Sequence, residues 1–350
     1  EGTGTTLIEG DYDAFRNYDG DKLWAIFNQN EMNYDIDREE GEPSLAEMSS
    51  KAIKMLSKNR KGFFLMVEGS IVDYADHAND PAGVVSDLLA FDEAVKVSLD
   101  FAKKDRNTTV VVITDHGCGA MNLGRKGYSS YSARGLADAL GSLPDYKRTS
   151  YGMEKELQAI RPYEYRQKVL ELLGIDLTDE EEQALMRLSE ETEADYMKVG
   201  STENIQSMLA RIMTSRTSIS FGTTTHTGED VFMAIYNPHD QRPEGWHTNL
   251  EINRYVADVM GIRKPMRDYT MEYFIPHTEL LEGTEYTIGE DEFGEPQLEF
   301  ALADGRAVKV PAGSCFVTVG DSVRQLVLPA VYISQNGTFY LTRDFISQIR

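Results

Sequence analysis

The fold of this chain is decided by the stretch Thr108-Thr109-Val110-Val111-Val112-Ile113-Thr114-Asp115-His116-Gly117. The first seven residues are all β-branched, which favours a buried strand. The strand leads directly into an aspartate and a histidine. Open α/β sheets bind ligands just beyond the carboxyl ends of their strands, so Asp115 and His116 are candidate ligand-binding residues.

The residues upstream of this stretch complete a strand, helix, strand order. The apolar run from Gly62 to Gly69 predicts a second strand buried on both faces, with Glu68 at its carboxyl end. Pro81 suits the first turn of a helix that runs to Lys104. A strand, helix, strand order is typical of a right-handed parallel crossover. We therefore predict an α/β fold with a mostly parallel sheet flanked by helices.

The remaining patterns divide the chain. Residues 143–217 are helical and acidic in pattern, which predicts a helical insertion, and Val231 to Tyr236 indicate a third buried strand. Short β-rich runs with turn residues follow residue 265. We predict an α/β metal-binding domain over residues 1–264 and a small β-rich C-terminal segment over residues 265–350.

Composition excludes several classes of protein. The chain has 350 residues, with 35 Lys and Arg against 58 Asp and Glu, a formal charge of −23. Phosphate backbones and anionic lipids are bound by clustered basic residues, so bulk charge does not predict a nucleic-acid partner. No stretch approaches the roughly 20 apolar residues of a membrane span. The two cysteines, Cys118 and Cys315, form no disulfide framework.

Three separated segments offer metal-ligand side chains. Asp73 and His77 are four residues apart, so one helical turn presents both on one face. Taken alone, this pair is more typical of a solvated surface pair than of a metal site. Asp115 and His116 end one buried strand, and His226 precedes another. Imidazole and carboxylate groups brought to one sheet edge suit zinc. His239, His247 and His277 lack paired ligands and are interpreted as surface or structural residues.

The motifs of these segments resemble those of alkaline phosphatases, in the same order along the chain. The resemblance covers about residues 20 to 260, and it rests on Val67-Glu68-Gly69-Ser70 with Asp73 and His77, on Thr114-Asp115-His116-Gly117, and on His226-Thr227-Gly228-Glu229-Asp230. It implies a hydrolase of phosphate monoesters that uses two Zn²⁺ ions and one Mg²⁺ ion. It also implies an exported protein, periplasmic or secreted, that forms homodimers.

The resemblance further assigns the ligands. Asp73, His77 and His226 would hold one zinc ion, Asp115 and His116 the second, and Glu68 the magnesium ion. Two such zinc ions, about 4 Å apart, would hold the attacking and leaving oxygens of an in-line displacement at phosphorus.

This sequence also departs from the family pattern. Upstream of Glu68 we find no strand that ends in a bridging aspartate, no serine nucleophile at a helix start and no phosphate-binding arginine. Asp321-Ser322 lies in the β-rich segment and is not interpreted as the nucleophile. Cys118 stands where similar sequences often carry a supporting histidine, and it is interpreted as a small residue packed at a Gly-rich turn. We therefore expect a C-terminal portion of a phosphatase that is inactive alone.

Two other functions stay open at this point. One is a non-catalytic protein that binds metal or phosphate and docks a partner through its β-rich segment. The other is a sibling of the same superfamily, such as a phosphodiesterase, a sulfatase or a cofactor-independent mutase.

Overall fold

The computed structural model describes residues 4–125, 139–188 and 204–350. The chain divides into two compact units, Glu1–Arg242 and Pro243–Arg350. The predicted domain boundary after residue 264 lies within the second unit and stays a prediction.

The first unit combines helices with short strands. Its described helices are Tyr12–Asn17, Leu45–Leu56, Ile71–His77, Pro81–Asp105, Ser150–Gln158, Tyr165–Leu173, Asp179–Leu188 and Ile205–Ser215. Its described strands are β1 Thr6–Glu9, β2 Leu23–Ile26, β3 Val110–Ile113, β4 Gly117–Cys118, β5 Asn122–Leu123, β6 Ile219–Ser220, β7 His226–Thr227 and β8 Met233–Tyr236.

The prediction of a mostly parallel sheet is not confirmed. In the described part of the first unit only β1 and β2 pair in parallel, while β3 pairs with β8 in antiparallel fashion, Val110 opposite Tyr236. A parallel crossover needs both strands in one hydrogen-bonded sheet. The strand predicted upstream of β3 forms no such ladder with any described residue, and β3 pairs instead with β8, which is far along the chain.

The segment that was predicted as this upstream strand belongs to no helix or strand and has no strand partner among the described residues. Residues 63–69 follow the helix Leu45–Leu56, and their side chains alternate in exposure. Phe64 is 59% exposed and Met66 is 76% exposed. The prediction of a strand buried on both faces is therefore wrong for this segment.

The residues predicted as a helical insertion, 143–217, are mainly helical in their described part, and their status as an insertion stays a prediction. The four helices described there pack on one another through a core of buried apolar side chains, while residues 189–203 lie outside the described part. The largest fully buried members of this core are Met153, Leu157, Leu173, Leu185, Ile205, Leu209 and Met213. Helical periodicity predicted these elements because each helix has one apolar face.

The second unit contains the β-rich segment. Its described helices are Asn249–Val259, Met266–Tyr273, His277–Leu280 and Phe345–Ile349. Strands β10 to β14 form a five-stranded antiparallel sheet, with bounds Tyr286–Glu290, Pro296–Ala301, Ala307–Pro311, Phe316–Val319 and Ser322–Gln325. Strands β9 Phe274–Pro276, β15 Val331–Ile333 and β16 Thr338–Thr342 form a three-stranded sheet. His277 is buried in this unit, which agrees with its interpretation as a surface or structural residue.

Candidate metal centre

A short helix presents the first two candidate ligands. Asp73 and His77 lie four residues apart in the helix Ile71–His77, so their side chains share one face. The opposite face is fixed by Ala75, which is fully buried. A Cβ added at Gly83 would stand 2.8 Å from the Cβ of Ala75, so the glycine lets the following long helix approach closely. The ligand-bearing helix therefore has a fixed position.

A two-residue ladder presents the next two side chains. Strands β4 and β7 pair antiparallel, with Gly117 opposite Thr227 and Cys118 opposite His226. Directly opposed residues in such a ladder have their Cβ atoms about 4.5–5.5 Å apart. The ladder thus brings together two residues that are far apart in sequence.

These two elements meet in a group of four, which we call the first cluster. One ligand atom from each of Asp73, His77, Cys118 and His226 lies within 4.8 Å of the others. The Nε2 atoms of His77 and His226 are 3.2 Å apart. Asp73 Oδ2 lies 3.3 Å from His77 Nε2, and Asp73 Oδ1 lies 3.9 Å from His226 Nε2.

The backbone fixes the orientation of the His77 ring. His77 Nδ1 lies 2.7 Å from the carbonyl oxygen of Thr224. A carbonyl only accepts hydrogen bonds, so Nδ1 carries the proton and donates it. In the neutral ring Nε2 then has its lone pair directed at the first cluster, which is the form that binds a metal ion.

Two carboxylates in and beside the first cluster are short of donors. Asp73 Oδ1 is buried and has no hydrogen-bond partner among the described residues, and neither has Asp76 Oδ1. Burial, with a smaller effect of the Asp73 charge, raises the pKa of Asp76 to about 7. Burial likewise raises the pKa of the Cys118 thiol, and Asp73 adds to the shift. Buried oxygens without donors are costly, so a cation at this place would supply what the protein does not.

The turn after Cys118 fits tightly behind this group. Gly119 has φ +67°, and a Cβ added there would stand 2.9 Å from the backbone oxygen of Asp76 and 3.0 Å from its Oδ1. The positive φ and the close approach both require glycine. This turn holds β4 against the end of the ligand-bearing helix.

Asp115 and His116 lie next to the first cluster. The ring of His116 stacks on that of His226, with centroids 3.6 Å apart and planes at 24°. His116 Nε2 lies 3.2 Å from Asp115 Oδ2, and the Asp115 side chain is 83% exposed. The structure thus joins five of the six predicted ligands in one contiguous region. Glu68 is exposed at the end of residues 63–69 and is not a member of the first cluster.

The donor set of the first cluster fits zinc. Zinc binds carboxylate oxygen, imidazole nitrogen and thiolate sulfur with four ligands in a tetrahedron. With zinc to nitrogen distances of about 2.0–2.1 Å, two nitrogens at the tetrahedral angle stand about 3.3 Å apart. The observed separation of the two Nε2 atoms is 3.2 Å. The sequence interpretation left Cys118 out of the ligand set, although its two-residue spacing from His116 places both on one face if the strand continues.

Comparison with known proteins identifies the family to which the chain belongs. A sequence model described as alkaline phosphatase matches residues 15–262. The chain belongs to the alkaline phosphatase family. Alkaline phosphatase 3 of Bacillus subtilis (strain 168) is 31% identical over 265 residues, which cover 76% of this chain and 54% of that protein. The repressible alkaline phosphatase of Saccharomyces cerevisiae is 30% identical over 265 residues, which cover 68% of this chain and 45% of that protein. The chain thus spans about half the length of these curated alkaline phosphatases.

Solved alkaline phosphatases share the fold. The Thermus thermophilus enzyme superposes with a TM-score of 0.63 at 24% identity, over 75% of this chain and 57% of that chain. The cold-active alkaline phosphatase from a psychrophilic Shewanella sp. superposes with a TM-score of 0.62 at 22% identity, over 75% of this chain and 60% of that chain. The α/β class of the prediction is therefore confirmed as alkaline-phosphatase-like. Within the described residues of this chain, no helix is both long and apolar enough to cross a membrane.

Proposed function

We propose that this chain carries the metal-binding part of a phosphate monoester hydrolase of the alkaline phosphatase type. The observation that carries the proposal is the convergence of Asp73, His77 and His226, with His116 stacked beside them. Family membership supports it. The sequence between Glu1 and Glu68 shows no nucleophilic serine in a family context, so we propose that the chain alone does not turn over phosphate esters.

Each predicted ligand has a role in this proposal. Asp73, His77 and His226 hold one zinc ion, Asp115 and His116 hold a second, and Glu68 holds magnesium. When bound, the ions supply positive charge that polarises a phosphoryl group and its attacking and leaving oxygens. The chain's own contribution is orientation, because the Thr224 carbonyl fixes the His77 ring and the Cys118 to His226 pairing fixes β7.

Location and assembly belong to the same proposal. By its resemblance to the family, the intact protein is periplasmic or secreted and forms a homodimer. The formal charge of −23 argues against a partner that is a nucleic acid, because nucleic acids are bound by clustered basic residues.

Metal counting and a substrate assay test the proposal together. The parent chain is dialysed against zinc and magnesium, its metal content is measured by mass spectrometry, and hydrolysis of p-nitrophenyl phosphate is followed at alkaline pH. We expect bound zinc without turnover. The double variant Asp73→Ala, His77→Ala should lose zinc at the first cluster because two of its ligands are gone.

His239→Ala is the matched control, since His239 is an exposed histidine whose backbone N–H bonds to Asn237 in a turn. It should retain the zinc content of the parent. Zinc that is unchanged in the double variant would contradict the ligand assignment. Turnover by the parent that the double variant lacks would show that a nucleophile lies within these 350 residues.

A further inference from the structure

We propose that Cys118 is a direct metal ligand, so that Asp73, His77, Cys118 and His226 form a closed four-ligand site for a thiophilic divalent cation such as zinc. The inference rests on the proposed function and deepens it, because it fixes the coordination of the first site. A cysteine in this position changes both the ion that is preferred and the room that is left for a substrate.

The geometry places the sulfur close to a ligand position. The Cys118 Sγ lies within 4.8 Å of the ligand atoms of the other three residues. With a zinc to sulfur distance of about 2.3 Å, the sulfur to nitrogen edge of a tetrahedron is about 3.6 Å. The sulfur therefore has to move by about 1.2 Å at most, which a side-chain rotation provides.

Two of the three edges among the other ligands already have the spacing that a bound ion requires. The edge between the two Nε2 atoms is 3.2 Å, and that between Asp73 Oδ2 and His77 Nε2 is 3.3 Å. Both agree with the edge of about 3.3 Å expected for nitrogen and oxygen ligands of zinc. Asp73 Oδ1 lies 3.9 Å from His226 Nε2, so these two groups would have to approach one another when an ion binds.

The protein gives the Cys118 sulfur no better partner in the described structure. Cys118 is a free cysteine of intermediate burial. Its sulfur makes a weak contact of 3.9 Å with the backbone oxygen of Asp73, which also directs the sulfur toward the ligand-bearing helix. The opposing strand supplies His226 rather than a disulfide partner.

Ligation by sulfur has two chemical consequences. The S–H bond is replaced by a bond from sulfur to the metal, and one proton is released to solvent. Four protein ligands leave no open position, which is the arrangement of structural zinc sites, whereas catalytic sites keep one position for water or substrate. This closed site gives a second physical reason for the chain to be inactive alone.

Cobalt substitution provides a direct test, because thiolate bound to Co²⁺ gives an intense charge-transfer absorption in the near ultraviolet. The reduced, metal-free 350-residue chain is titrated with Co²⁺ alone. We expect this band to grow to saturation in the parent and in Cys315→Ser, and to be absent in Cys118→Ser. Zinc binding by Cys118→Ser should weaken at least 10- to 100-fold, roughly the loss that outer-shell substitutions already cause.

The outcomes separate this inference from the proposed function. Co²⁺ that binds to the parent without the band, or a band that persists in Cys118→Ser, would overturn the role of Cys118 and leave the metal site standing. A parent that binds no Co²⁺ would overturn both.

A measurement on the parent alone guards against misfolding of the variant. Alkylation of both cysteines is followed by peptide mass spectrometry with and without Zn²⁺. Zinc should slow the alkylation of Cys118 and leave that of Cys315 unchanged. Equal rates at Cys118 with and without zinc would contradict direct ligation.

Discussion

At the scale of single residues, a buried carboxylate outside the metal centre links stability to pH. Asp87 lies in the long helix Pro81–Asp105 and is 9% exposed. It accepts hydrogen bonds from the Asp35 N–H at 3.1 Å and the Ser86 hydroxyl at 2.9 Å. These bonds favour its charged form, but burial is the larger effect and raises the pKa of Asp87 from 3.8 to about 7.

This shift predicts a pH-dependent free energy of unfolding. A carboxyl group whose pKa is raised by folding stabilises the native state fully below its unfolded pKa, and the contribution is lost as pH rises through the folded value. The stability of the parent relative to Asp87→Asn should therefore fall by roughly 2–4 kcal/mol between pH 4 and pH 8. Urea unfolding at several pH values measures the difference.

Asp92→Asn is the matched control for this prediction, because Asp92 is exposed on the same helix. Its stability relative to the parent should stay nearly constant over the same pH range. If the difference in free energy of unfolding between the parent and Asp87→Asn did not change with pH, the argument from burial would be contradicted.

At the scale of elements, one aspartate ties two helices together. Asp80 is the N-cap of the helix Pro81–Asp105, and its Oδ1 accepts from the N–H groups of Ala82 at 2.8 Å and Gly83 at 3.0 Å. Its Oδ2 accepts from the N–H of Ser150, the first residue of the helix Ser150–Gln158. Both caps lie in the buried interior, so water does not replace these bonds.

Removing the Asp80 side chain should lower the free energy of unfolding more than removing an ordinary N-cap side chain does. Asp80→Ala leaves three buried N–H groups without an acceptor and should lower the free energy of unfolding by about 2–5 kcal/mol. Ser44→Ala removes one bond, from the Glu47 N–H at 3.1 Å, and should cost about 1 kcal/mol. Urea unfolding of both variants makes the comparison, and equal losses would contradict the linking role.

The elements also show how far sequence reasoning reaches. Helical periodicity and first-turn signals are local, so the helix that begins at Pro81 was predicted to run to Lys104, close to its observed end at Asp105, and residues 143–217 were predicted to be helical. Strand pairing is not local. The apolar run at Val110–Ile113 does not specify which strand lies beside it, and its partner proved to be β8, in antiparallel direction.

The same distinction holds for the metal centre. Asp73, His77 and His226 could be predicted as ligands because three separated segments combine carboxylate and imidazole groups, and because the motifs of these segments resemble those of the family. Cys118 was interpreted as a small packed residue, because its two-residue spacing from His116 does not by itself show that His226 lies opposite. The register of β4 against β7 places Cys118 there.

At the scale of the whole molecule, the two compact units should respond differently to metal. All four members of the first cluster belong to the first unit. An ion that binds only the native state stabilises it by about 2.7 kcal/mol at a free concentration 100 times its Kd. In calorimetry we expect zinc to raise the transition of the first unit and to leave that of residues 243–350 unchanged.

Chelation provides the reverse experiment. A chelator should return the first transition to its metal-free temperature, and His226→Ala should show no zinc-dependent shift because a ligand is missing. An equal shift of both transitions in the parent, or an unchanged shift in His226→Ala, would contradict this prediction.

The segment at residues 63–69 has a consequence for how the chain behaves at high concentration. It has no strand partner among the described residues and bears Phe64 and Met66 in the open, so its backbone is available for intermolecular β-pairing. The formal charge of −23 opposes such pairing by mutual repulsion between molecules. Salt shortens the range of this repulsion to about 8 Å at physiological ionic strength. Self-association of the chain therefore depends on two opposing effects, attraction at residues 63–69 and repulsion from the net charge. Added salt weakens the repulsion and so favours self-association.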